Sequence, residues 1–188
     1  MSFILNYNGK SKKCNCDLIG MHNLENILLS SALALKLGVS LDAISRAISE
    51  LQPVAHRLEI IRNHNITVID DAFNSSVEGS TAAVNVLTNF KDAVKICITP
   101  GIVEMGEEEF KVNENFGAQL GEVCDYVIVV NKVNQEALKK GLEKTKIIKE
   151  NIITVDTLKL AKEKLSELIS PEKNYVVLFE NDLPDNYT

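Results

Sequence analysis

Residues Asn65–Leu87 read NITVIDDAFNSSVEGSTAAVNVL, and this stretch decides the fold. A short apolar run, Ile66 to Ile69, ends in two adjacent carboxylates, Asp70 and Asp71. Small polar residues follow, and a helix-like segment starts near Val77. An apolar run of this length bounded by turn residues reads as a strand. Like charges side by side do not belong in a core, so the two aspartates are expected at a strand end, on a rim.

Downstream the same alternation repeats. Strand VKICITP (94–100) precedes helix KVNENFGAQLGEVC (111–124), and strand YVIVV (126–130) precedes helix NQEALKKGLEK (134–144). The short strand IITV (152–155) precedes helix TLKLAKEKLSELI (157–169), and strand YVVLF (175–179) closes the series. Continuous apolar strands separated by helices imply an α/β fold. Its sheet is Rossmann-like and mostly parallel, with helices on both faces. Ligands in such sheets sit beyond the carboxyl ends of the strands. Asp70 and Asp71, the Thr99-Pro100-Gly101 turn and Glu180-Asn181 all fall there.

Upstream the pattern differs. FILNYNGKSKKCNCDLIG (3–20) reads as a β-hairpin turning at Asn8-Gly9. HNLENILLSSALALKLG (22–38) reads as a helix stopped by Gly38, and SLDAISRAISEL (40–51) as a short helix capped by Ser40. Pro53 and a change of composition mark a boundary, giving regions 1–52 and 53–188. RLEIIRN (57–63) then forms a strand that turns at His64-Asn65 into the one above.

The 188 residues are 45% hydrophobic and 24% charged, a globular composition, with a net charge of −6. That charge argues against a nucleic-acid partner held by phosphate contacts. No apolar run approaches the roughly 20 residues of a membrane span, so no membrane partner is expected. The order of MSFILNYNGKSKK is the reverse of a secretory leader. Four scattered cysteines fit a reducing cytosol, so a cytoplasmic location is expected. Cys14-x-Cys16 has no matching pair and three histidines form no cluster, so no metal site is expected in this chain.

Two motifs carry a family resemblance. GMHNLENILLSSALALKLG resembles the G-x-HN-x-x-N…A-x-A…LG motif of the Mur ligases. HRLE followed by VIDDAFNSS resembles the R-x-E…DDAYNANP of the same family. The likeness runs from Gly20 to Phe179. It implies the end of a central ATPase domain in residues 1–52, as a hairpin-plus-helices remnant, and a C-terminal Rossmann-like domain in 53–188. No G-x-x-x-x-G-K-[ST] phosphate loop occurs. The chain is therefore expected to act with N-terminal and ATPase domains, and to turn over no ATP alone.

From the residues themselves, Asp71 either precedes a turn or accepts hydrogen bonds from ribose hydroxyls. The resemblance implies the ribose role for Asp71 and a turn role for Asp70. Asn23 and Asn26 share a helix face, and an amide offers the donor and acceptor that an adenine edge needs. Here too the resemblance supplies the role, adenine contact. It likewise implies that Arg57 reaches the ATP phosphates, which a guanidinium binds bidentately. Asn74 and Ser75 follow the aspartates, and Gly101 and Glu104 lie in a loop similar to the family's LG-x-M-x-ELG. Those four residues and Glu180 are candidates for acceptor and loop contacts. Phe73 and Ser76-Val77 depart from the family pattern, and so does Phe179-Glu180-Asn181, where Lys-Gly-Ser is usual.

The activity implied is ATP-dependent amide ligation in peptidoglycan precursor synthesis. The partners are a UDP-muramoyl peptide and an amino-acid or dipeptide acceptor such as D-alanyl-D-alanine. ATP and Mg2+ are the cofactors, with the main Mg2+ site outside this chain. A folylpolyglutamate synthase relative and a non-catalytic interaction subunit are the alternatives.

Overall fold

The computed structural model describes residues 1–73 and 76–181. The chain forms two compact units, Met1–Leu58 and Glu59–Thr188. The sequence boundary at residue 53 lies in the irregular segment 51–58, just before the second unit begins.

In the first unit β1 (Ser2–Tyr7) and β2 (Lys10–Asn15) pair as an antiparallel hairpin, separate from the main sheet. Asn8 (φ 46°) and Gly9 (φ 74°) take the two left-handed positions of its turn, where Asn-Gly is favoured. Helices α1 (Met21–Lys36) and α2 (Leu41–Ser49) follow. Gly38 (φ 88°) ends α1: its N–H donates to Leu35 O, and that of Val39 donates to Ala34 O. Those two bonds satisfy carbonyls that the last turn leaves open. Ser40 caps α2 by accepting from the Ala43 N–H at 3.2 Å. Cys14 on β2 and Cys16, one residue past its end, pack with Leu5, Ile27, Ile44 and Ile48 as ordinary core.

The second unit runs β3 (Glu59–Asn63), β4 (Ile66–Asp71), α3 (Val77–Leu87), β5 (Val94–Thr99), α4 (Glu109–Val123), β6 (Tyr126–Val130), α5 (Gln135–Leu142), β7 (Ile152–Val155), α6 (Leu158–Leu168) and β8 (Tyr175–Glu180). The six strands lie in the order β3-β4-β8-β5-β6-β7. β3 is antiparallel to β4 across the turn at His64 (φ 49°), and every other pairing is parallel. β8, last in the chain, sits between β4 and β5. Both faces of the central strands are covered, which is why they read as unbroken apolar runs. Ile96, Ile98, Ile128, Val130 and Val177 pack with Ala161, Leu165 and Leu168 of α6. The intervening residues, among them Cys97, Val127, Val129 and Leu178, are fully buried on the other face. There α3 packs on β8 and α5 on β6, with α4 against both helices. No helix among the described residues is long and apolar enough to cross a membrane.

Helices α4 and α5 approach closely through glycines. A Cβ on Gly141 would lie 2.0 Å from Glu114 O, and one on Gly117 would lie 2.2 Å from Leu138 O. Backbone cannot yield as a flexible side chain does, so the helices would have to separate. Gly117→Ala and Gly141→Ala are each expected to cost about 1–3 kcal/mol, the range of overpacking substitutions. Urea midpoints of the two variants against the parent chain check this, and unchanged midpoints would show that the helices part freely.

Candidate functional site

The site is the rim where the parallel strands of the second unit end. Asp71 on β4 is in register with Glu180 on β8, and Thr99 on β5 with Val129 on β6. Residues in register across a parallel pair share a face, so Asp71 and Glu180 project together and Asp70 projects oppositely. Asp71 is half-buried. Asp70 Oδ1 accepts the Ala72 N–H at 3.2 Å, the short-range turn bond typical of aspartate. Phe73 is half exposed, and Ser76 caps α3 by accepting from the Gly79 N–H at 3.1 Å. Asn74 and Ser75 lie outside the described residues.

The loop after β5 is fastened by three asparagines, of which the sequence reading placed Asn181 at the rim and missed Asn113 and Asn134. Asn113 of α4 is fully buried; its Oδ1 accepts the Ile102 N–H at 2.8 Å. Its Nδ2 donates to the carbonyls of Ile102 at 2.8 Å and Glu109 at 2.9 Å. Asn134, just before α5, donates to Ile102 O at 3.2 Å. Asn181, just after β8, donates from Nδ2 to Gly101 O at 2.7 Å and from its backbone N–H to Asp71 O at 3.1 Å. Thr99 Oγ1 accepts the Gly101 N–H at 3.0 Å. Gly101 has φ 90°, and a Cβ there would lie 2.4 Å from Asn113 Oδ1, so only glycine fits. Ile102 and Val103 are buried anchors, and Glu104 (φ 65°) is exposed beyond them. Asn113 had a detectable signal: it falls on the buried stripe of α4 with Phe116, Gly117 and Leu120, at offsets of three, four and seven.

The expected site residues thus divide between the units. Asp71, Gly101 and Glu180 meet at one rim, with Glu104 on its loop. Glu180 is fully buried as the last residue of β8, so it lies beneath the rim surface. Asn23 and Asn26 belong to the first unit and line a groove of about 380 Å³ between α1 and α2, among Leu18, Ile27, Ala34 and Ile48. Asn23 is half-buried and donates to Ile19 O at 2.8 Å, whereas Asn26 is exposed. Arg57 is exposed in a turn whose N–H reaches Val54 O at 3.1 Å, between His56 (φ 61°) and Leu58 (φ 50°).

Cys97 and Cys124 are inert. Desolvation pushes the Cys124 thiol up to about 12 and the Cys97 thiol well above its usual value, so neither offers a thiolate at neutral pH. On the flank of α4 the Glu114 side chain, 7% exposed, gathers Lys144, Lys140 at 3.3 Å and Lys111 at 3.4 Å. The Lys144 hydrogen bond is the main cause that lowers the Glu114 carboxyl from 4.5 to about 2. Lys140 also lies 5.1 Å above the Phe110 ring. Among the described residues no group of three or more His, Cys, Asp or Glu could hold a metal ion.

The family model "Mur ligase, glutamate ligase domain" matches residues 56–179. The UDP-N-acetylmuramoyl-tripeptide–D-alanyl-D-alanine ligase of Buchnera aphidicola is 25% identical over 169 residues, covering 81% of this chain and 36% of that protein. The Escherichia coli ligase of the same name is 33% identical over 121 residues, covering 61% of this chain and 26% of that one. A crystal structure of MurF from Acinetobacter baumannii superimposes with a TM-score of 0.82 at 25% identity, over 96% of this chain and 39% of that one. The chain spans about a third of the length of the curated relatives it matches.

Two outcomes follow from this geometry. Asn113→Ala would strand the Ile102 N–H and a share of the Ile102 and Glu109 carbonyls inside the protein. The expected loss is about 1–3 kcal/mol for each buried group left unpaired, read as a lowered denaturant midpoint. Midpoints within error of the parent would mean that water replaces the amide.

The second concerns acid. The folded-state value of Glu114 is depressed, so its contribution is present above about 4.5 and is lost as pH falls toward 2. Thermal midpoints of the parent chain and Glu114→Gln are expected to converge across that window and to differ above it. A constant difference at every pH would show that the lysines do not act through its charge.

Proposed function

This chain belongs to the Mur ligase family, and from that premise we propose that it is the C-terminal part of an ATP-dependent amide ligase of peptidoglycan precursor synthesis. The ligase joins an amino acid or a dipeptide such as D-alanyl-D-alanine to a UDP-muramoyl peptide. ATP supplies the activation. Its terminal phosphoryl group passes to the peptide carboxylate, the acceptor amine attacks the resulting acyl phosphate, and phosphate leaves as the amide forms. The site of Mg2+ and the phosphate-binding loop belong to the remainder of the enzyme, and this chain contributes no step through them.

The observation that carries the reading is the half-buried Asp71 at the carboxyl end of a parallel strand, inside the matched range 56–179. A carboxylate there can accept hydrogen bonds from ribose hydroxyls, and charge-assisted bonds of this kind exceed neutral ones. Asn23 and Asn26 take the adenine edge, and Arg57 the phosphates. A nucleotide held by its sugar in one unit and by its phosphates in the ATPase core couples binding to closure. Closure brings the reactants together and protects the acyl phosphate from water. The UDP-linked substrate places the reaction in the cytoplasm.

The chain alone is expected to release no ADP from ATP. The complete ligase is expected to release it only when a UDP-muramoyl peptide and an acceptor amine are both present. In that enzyme Asp71→Ala removes a charge-assisted bond worth about 1.5–3 kcal/mol. The KM for ATP should rise about tenfold to a hundredfold, with little change in thermal midpoint. Asp70→Ala, which breaks the turn bond to Ala72, should do the reverse. Unchanged ATP kinetics with a sharply lowered midpoint for Asp71→Ala would leave the ribose role without support.

A further inference from the structure

Helix α1 is apolar on more than one side. From Ile27 to Leu35 it reads ILLSSALAL, without a charge. The side that carries Ile27 and Ser31 is buried, and Ile27 belongs to the core of the first unit. The opposite side is open. Leu29 is 72% exposed, Leu33 63% and Leu28 42%, and Ala32 is exposed among them. A helix that is apolar all round is ordinarily covered all round, so this face calls for a partner.

The charges at its two ends say which partner. α1 carries one carboxylate, Glu25, and one ammonium, Lys36, and both are exposed. Glu25, Leu29, Ala32 and Lys36 follow one another at helical spacing and form one seam, with Leu28 and Leu33 on its two flanks. Reversed end for end, that seam is its own complement. About a two-fold axis between Ser30 and Ser31, an antiparallel copy sets Glu25 against Lys36 of the second copy and Leu29 against Ala32 of the second copy. The same two contacts recur by symmetry. Opposite charges meet, and large meets small. A parallel copy would instead set Glu25 beside Glu25 and Lys36 beside Lys36, and like charges disfavour that register.

We propose that the exposed face of α1 is the contact through which this chain pairs with a second copy of itself, as an antiparallel two-fold dimer. In a two-fold contact one patch serves both copies, so assembly closes at two. The groove between α1 and α2, with Asn23, Asn26 and Ala34, is lined by none of these seam and flank residues, so pairing leaves it open. The dimer goes beyond the ligase reading and does not rest on it.

The test is sedimentation equilibrium of the full chain over a concentration series, with circular dichroism as the check on folding. The parent chain is expected to pass from monomer to dimer as concentration rises, and no further. Leu29→Gln replaces a side chain that stands largely in solvent, so the fold should persist while the dimer dissociation constant rises about tenfold or more. Glu25→Lys and Lys36→Glu each bring like charges together at both symmetric contacts and should each weaken the dimer about tenfold. The chain that carries both substitutions has opposite charges at both contacts again, and should regain the parent's constant.

A parent chain that stays monomeric at every concentration would overturn the proposal and leave the face to the remainder of a ligase. Growth beyond two copies would overturn it as well, and so would a dimer that Leu29→Gln does not weaken. A double charge reversal no tighter than either single one would refute the antiparallel seam. ADP release by the complete ligase reports on the ligase reading alone, so the two can fail separately.

Discussion

The strand made last holds the sheet together. β8 pairs with β4 from Ile66↔Tyr175 to Asp71↔Glu180, and with β5 from Val94↔Tyr175 to Ile98↔Phe179. Without it the β3–β4 hairpin and the β5–β6–β7 group share no ladder. Four of its residues, Tyr175 to Leu178, are buried. The pairing spans more than half the chain, so its loop-closure entropy is met only once residues 175–180 are in place. A strand that completes both ladders at once makes the second unit cooperative, because neither half can bury its apolar faces alone.

The same insertion builds the rim. Glu180 arrives beside Asp71, and the next residue, Asn181, ties Asp71 O to Gly101 O. The loop after β5 is consequently anchored from three directions, by Asn113 on α4, Asn134 before α5 and Asn181 after β8. An amide suits each place because it can donate and accept, and the buried loop backbone needs both. With Ile102 and Val103 buried beneath it, the loop presents Glu104 from a fixed base rather than from a free segment.

The elements were legible in the sequence because their signals are local. Asn8-Gly9, Gly38, Ser40 and the apolar runs each announce a turn, a stop, a cap or a buried strand within a few residues, and the structure has all of them. Strand order was not legible. Nothing in YVVLF distinguishes a central strand from any other buried parallel strand, since pairing partners lie a hundred residues away. The strand-end aspartates could be placed at a rim because charge after an apolar run is a local pattern. Asn181 was placed at the rim by its position after a strand, but its bonds to the loop were not legible; Asn113 and Asn134 escaped because each acts across the fold, and of the two only Asn113 betrays itself by standing in an apolar stripe. Glu180 was read as a rim residue from its position after a strand, but its burial depends on neighbours that the sequence does not name.

Two consecutive residues of α4 show how packing and charge combine. Asn113 turns inward and fixes the loop, while Glu114 turns along the flank and gathers Lys111, Lys140 and Lys144. The second role depends on close helix packing: Gly117 and Gly141 let α4 and α5 touch backbone to backbone, which brings Lys140 and Lys144 within reach of one carboxylate.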